Sequence, residues 1–112
     1  MKELDSYKQV VNLIENNYND ILYIKIDFDK SEKTYEDKLF IITKDKIYFY
    51  EDIINIDKIN KLLSFDKFVE YRNTVYNYRI YININNKFEL ENILLDKFIK
   101  IIIKNENNCL QQ

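Results

Sequence analysis

Leu4, Tyr7, Val10, Val11, Ile14 and Tyr18 recur at intervals of three and four residues, and Ser6 stands three residues before Gln9. This spacing gathers the apolar side chains on one side of a helix, and Ser-x-x-Gln supplies a capping box, so a helix is predicted over residues 5–18. From Asp20 the period drops to two. Leu22, Ile24, Ile26 and Phe28 alternate with Ile21, Tyr23, Lys25 and Asp27, which is the pattern of a half-buried strand. Residues 29–38, DKSEKTYEDK, are charged throughout and read as a loop. Residues 39–43 and 46–50 then alternate on either side of Lys44-Asp45 and predict a hairpin. Its turn has no glycine, so Asp45 or a neighbour is expected to adopt the left-handed backbone that Asn and Asp tolerate best.

Ile56, Ile59, Leu62 and Leu63 have helical spacing, but Asp66 would fall inside the apolar stripe of one continuous helix. A break near Ser64 and a second short helix from Asp66 to Arg72 follow from that conflict. Next comes the longest alternation in the chain, with Tyr76, Tyr78, Ile80, Ile82 and Ile84 facing one way and Val75, Asn77, Arg79, Tyr81 and Asn83 the other. It predicts a strand that a turn at Asn85-Asn86 ends. From Glu89 to Lys104 the apolar residues Ile93, Leu94, Leu95, Phe98, Ile99, Ile101, Ile102 and Ile103 cover half or more of a helical wheel. Two readings suit so wide an arc: a central helix covered by the sheet and the middle helices, or one that leaves an apolar strip for a second copy, forming a homodimer. Residues 99–104 also suit a strand, because β-branched side chains favour that state.

The expected fold class is α+β: a small antiparallel sheet of four to five strands with helices packed on one face, in the order α-β-β-β-α-β-α. The 112 residues fit one domain, since domains commonly hold about 100–150 residues, with 105–112 as a polar C-terminal tail.

Composition changes this picture mainly by exclusion. Glycine, proline, alanine, histidine and tryptophan are absent, while isoleucine, lysine, asparagine and tyrosine dominate. These biases follow AT-rich codons and point to a low-GC bacterium, its phages or plasmids, or a similarly biased virus. Without histidine there is no Ser-His-Asp or Cys-His pair and no Cys/His zinc site. Without glycine there is no Walker loop or dinucleotide fingerprint. The lone Cys109 sits in the polar segment NENNCLQQ with no neighbouring base to activate it. No apolar run is long enough to span a membrane, and the N-terminal MKELDSYKQ places acids where a signal peptide needs a basic segment. A cytoplasmic protein without cofactor or metal, and not an enzyme, is the expectation.

Thr43-Lys44-Asp45-Lys46-Ile47-Tyr48-Phe49-Tyr50 resembles the strand pair of bacterial pleckstrin-homology-like and GRAM-type domains, which are β-barrels closed by a C-terminal helix. The resemblance covers this hairpin alone, so it is read as a shared hairpin solution. Asp27 and Asp29, with Glu36-Asp37-Lys38 opening the next strand, loosely resemble the Asp and Glu-x-Lys arrangement of metal-dependent nucleases of the restriction-enzyme type. That resemblance would imply carboxylates holding Mg²⁺ while a lysine supports the attacking water.

The net charge of −2 argues against direct nucleic-acid binding, which needs a basic face. Residues 1–37 carry nine acids against five lysines, a net −4, and residues 38–112 carry ten acids against twelve bases, a net +2. Asp27, Asp29, Glu32, Glu36 and Asp37 therefore form a candidate surface for a larger protein with a basic, nucleic-acid-binding site. Tyr48 and Tyr50 of the hairpin are expected to add contact area. The resulting functional expectation is a non-enzymatic inhibitor of anti-CRISPR type, from a phage or mobile element, that blocks a host defence protein by occlusion. The alternatives are a toxin-immunity protein, an oligomerising structural subunit and the small Mg-dependent nuclease.

Overall fold

The computed structural model of the chain describes residues 1–28, 36–64 and 66–86. It is a small α+β fold, and the described residues form a six-stranded mixed sheet and two α-helices. The elements are β1 (Lys2–Glu3), α1 (Tyr7–Asn16), β2 (Ile21–Asp27), β3 (Asp37–Thr43), β4 (Ile47–Asp52), α2 (Ile56–Leu62), β5 (Phe68–Asn73) and β6 (Tyr78–Asn83). Across the sheet the strands run β1-β4-β3-β2-β6-β5. Every pairing is antiparallel except β1 with β4, which is parallel.

α1 begins where the capping signal places it. Ser6 Oγ accepts from the Gln9 N–H, and Gln9 Oε1 accepts in return from the Asp5 N–H at 2.7 Å, so orphan donors on both sides of the helix start are satisfied. Asn55 caps α2 in the same way by accepting from the Lys58 N–H. The Tyr7 hydroxyl donates to the Asn55 carbonyl at 2.7 Å and ties the two helices together. Both helices lie on one face of the sheet. Val10, Leu13 and Ile14 of α1 and Ile59 of α2 form one core with Ile21, Ile24, Ile26, Leu39, Ile41, Tyr50, Phe68 and Tyr81.

Four sequence expectations change, and with them the expected antiparallel sheet of four to five strands becomes a mixed one of six among the described residues. The segment expected as a short helix, Asp66 to Arg72, is largely the edge strand β5, paired along its length with β6. Its charged residues alternate: Glu70 and Arg72 face the helix side, and Val69 and Tyr71 the opposite side, a period of two that a helical reading overlooks. β1, the sixth strand, is too short to carry a periodic signal. In β2 an extra residue at Leu22 breaks the alternation, because Ile21 pairs with Thr43 while Tyr23 pairs with Ile42. The bulge sends Ile21 to the helix side with Ile24 and Ile26, and Leu22 to the other side with Tyr23. The β3–β4 turn needs no left-handed residue. Thr43 closes it with its N–H donating to the Lys46 carbonyl at 2.9 Å and its hydroxyl bonded to Lys46. Among the described residues only Asn77 has positive φ, at 54°. The element expected over residues 89–104, the tail from 105 and Cys109 lie outside the described residues.

Candidate functional site

Of the five carboxylates and two tyrosines expected at a partner surface, Asp27, Glu36, Asp37, Tyr48 and Tyr50 are among the described residues, and they do not share one face. Tyr48 and Tyr50 point toward the helices, because their register partners Ile41 and Leu39 belong to the core face. Tyr50 is 4% exposed and packs its ring 6.4 Å from that of Tyr7, so it is a core residue with no contact surface to offer. Tyr48 is half-buried against the same cluster. Asp29 and Glu32 lie outside the described residues.

Asp27, Glu36 and Asp37 do share one end of the sheet. The register sets Asp52 beside Asp37, Glu51 beside Lys38, Lys38 beside Asp27, and Asp27 beside Tyr78, which in turn lies beside Asn73. Asp27 and Asp37 nonetheless emerge on opposite faces, since Asp27 pairs with Lys38, the residue after Asp37. Asp27 forms an ion pair with Lys25 at 3.4 Å, and Asp37 accepts from the Ile54 N–H at 3.0 Å. No group of three or more carboxylates and thiols that could hold a metal ion occurs among the described residues. Glu36 is exposed and borders a hollow of about 250 Å³ with Glu3, Phe49 and Glu51.

The same end of the sheet carries the turn between β5 and β6, residues 74–77. Val75 is 83% exposed and Tyr76 66%. The turn that presents them is tied down at four points. The Tyr76 N–H donates to Asn73 Oδ1 at 2.8 Å, and Asn73 Nδ2 donates to the Tyr78 hydroxyl at 3.3 Å. Asn77 occupies the left-handed region, its amide donates to the Phe28 carbonyl at 2.9 Å, and its own carbonyl accepts from the Phe28 N–H at 2.9 Å. Glycine is the usual residue at such a φ, and asparagine is the substitute that costs least. Asn77→Val should therefore destabilise the fold by about 1–2 kcal/mol, while Asn77→Gly stays closer to the parent, as read from urea midpoints.

Beneath the turn lies a cleft of about 510 Å³ lined by Phe28, Asp37, Ile56, Arg72, Asn77 and Arg79 among others. Arg72 and Arg79, the only arginines of the chain, are register partners across β5 and β6. They share one carboxylate: Glu70 meets Arg72 Nε at 2.6 Å and Arg79 at 3.5 Å. Arg79 also lies 5.9 Å from the Phe28 ring centre, a cation–π arrangement. The hydrogen bond to Glu70 raises the Arg72 pKa further. The Glu70 contacts lie within the β5–β6 hairpin, and the Arg79–Phe28 contact reaches from β6 to the residue that follows β2. No protein-family model matches the chain, and no curated protein or solved structure matches it at a significant level.

Tyr81, next to this cluster, donates its hydroxyl to Asn60 of α2. Burial raises its pKa above 10.0, helped by the charge of Glu70 and opposed by Arg79. Burial likewise raises Tyr7 and Tyr50, with smaller contributions from Tyr50 on Tyr7 and from Asp52 on Tyr50. The folded protein thus holds these phenolic protons more tightly than the unfolded chain. Their stabilising contribution is complete below pH 10.0 and disappears as pH rises through the raised folded values. Thermal unfolding followed from pH 8 to about 12 should accordingly show a midpoint that falls above pH 10.0, and Tyr81→Phe should make the fall shallower.

Proposed function

We propose that the chain is a non-catalytic inhibitor that binds a larger protein and covers a site on it, with the β5–β6 turn as the contact. One observation carries the reading: Val75 and Tyr76, both largely exposed, stand on a turn fixed by side-chain hydrogen bonds. Apolar side chains presented on a backbone that is already fixed cost less ordering on binding, and tyrosine combines a large contact area with a polar end. Asp27, Glu36, Asp37, Glu51 and Asp52 surround the same end of the sheet. They suit a target with a basic surface, where their field speeds encounter while the turn supplies the affinity. A nucleic-acid-handling defence protein of a low-GC bacterium fits that description and the codon bias of the sequence.

The test is affinity capture from such a lysate with the parent chain and with a Val75→Asp, Tyr76→Ala double variant, followed by an assay of the captured protein's own activity. A stoichiometric partner held by the parent alone, and inhibited by it, supports the reading. A partner retained equally by both chains, or one whose activity is unchanged, contradicts it.

A further inference from the structure

Arg72 and Arg79 stand directly opposite each other across β5 and β6. Like charges in that relation destabilise a pair of strands. Glu70 offsets part of the cost, its Oε1 lying 2.6 Å from Arg72 Nε and 3.5 Å from Arg79 Nη1. Among the described residues no other carboxylate is ion-paired with either arginine, so one positive charge is left over. Each guanidinium presents a planar fork of several donors, and a single carboxylate cannot engage two such forks fully. Both arginines line the cleft of about 510 Å³ beneath the β5–β6 turn, with side chains 58% and 23% exposed. Arg79 is steadied there by the Phe28 ring, 5.9 Å away, and a guanidinium over a ring keeps the donors at its edge for other partners.

We propose that this cleft binds a small organic carboxylate, its oxygens on Arg72 and Arg79 and its apolar body against Phe28 and Ile56. The volume lies within the range of about 300–1,000 Å³ in which small-molecule sites fall. The Glu70 contacts show that one carboxylate oxygen reaches both guanidiniums at once. Charge balance selects the kind of anion. A single carboxylate matches the surplus of one, whereas a phosphate monoester brings about two charges at neutral pH and exceeds it. Asp37 lines the same cleft from the other side of β2, where it accepts from the Ile54 N–H, and it adds a further penalty for a dianion. Phe28 and Ile56 add apolar surface that rewards a ligand with a hydrocarbon body over a bare ion. Binding there requires no contact at Val75 or Tyr76.

The test follows backbone amide and arginine Nε–H resonances of the full chain while benzoate is added at constant ionic strength. Saturable shifts are expected at Phe28, Arg72 and Arg79, with a dissociation constant of about 1–10 mM, the range for so small a ligand. Benzyl alcohol, which lacks the charge, and inorganic phosphate, which carries too much of it, should each bind at least about tenfold more weakly. Arg72→Lys should weaken benzoate binding by about tenfold, because lysine lacks the planar fork, and should leave the urea midpoint close to the parent's. Shifts that grow linearly with benzoate and never saturate would overturn the proposal. Benzyl alcohol or phosphate binding as tightly as benzoate would overturn it too, as would an Arg72→Lys variant that binds benzoate as well as the parent.

Discussion

Ile24→Ala should lower the unfolding free energy by about 2–5 kcal/mol, the range for truncating a large aliphatic side chain in a packed core. Ile24 is 0% exposed and sits on a central strand, with Ile41 of β3 beside it on one side and Tyr81 of β6 on the other. Below it Val10, Ile14 and Ile59 of the two helices close the same core. Truncation leaves a cavity walled by strands on both sides and helices beneath, which can collapse only by moving elements that are held elsewhere. Ile53→Ala is the matched control, since Ile53 is 66% exposed and its truncation should stay within about 0.5 kcal/mol of the parent. Urea unfolding of both variants, at unchanged slope, makes the comparison.

The second large effect concerns binding. Val75→Asp with Tyr76→Ala should weaken association with the captured protein by about 100-fold or more, equivalent to about 2.7 kcal/mol, the scale expected when a central aromatic contact is removed. Stability should barely change, because neither side chain is buried. Charge reversal at Glu36 and Asp52 should act differently, slowing association and flattening its salt dependence with little effect on dissociation. Surface kinetics at two salt concentrations separate these outcomes. A double variant that binds as well as the parent would remove the turn from the account.

The parts of the fold legible in the sequence are those where one periodicity stood without competition. α1 was announced by Ser6 and by apolar spacing from Val10 to Ile14, and α2 by Ile56, Ile59 and Leu62, with its break before Ser64. β6 and the β3–β4 hairpin followed from alternation. Elsewhere the pattern was ambiguous for physical reasons. Ile21, Leu22, Tyr23 and Ile24 are all apolar, so no polar residue marked the bulge that reassigns Leu22. Lys67, Glu70 and Arg72 favour helix by intrinsic propensity, yet pairing with β6 overrides it.

At the end of the sheet that carries the proposed contact, the pattern was ambiguous for the same reason. That Asp27 and Asp37 end and open neighbouring strands was readable from the alternation on either side of them, but not that pairing of Asp27 with Lys38 sends the two carboxylates to opposite faces. The tyrosines were placed on the wrong face, because β4 alternates Ile47 and Phe49 with Tyr48 and Tyr50 and so reads as apolar on both sides. Val75 and Tyr76 continue the alternation of β6 and gave no sign of being a turn. The available signal was the pair Asn73 and Asn77, which bracket the turn and fix it through an Asx-type bond and a left-handed backbone.

If the chain is the inhibitor proposed, the β5–β6 turn and the carboxylates near it meet the partner. Backbone amide shifts of the labelled full chain, recorded during titration with the purified captured protein, test it most directly. Perturbations are expected to concentrate in residues 73–79, with weaker ones at Asp27, Phe28, Glu36 and Asp37. Perturbations confined to α1, α2 or the β1–β4 edge, with residues 73–79 unmoved, would contradict it.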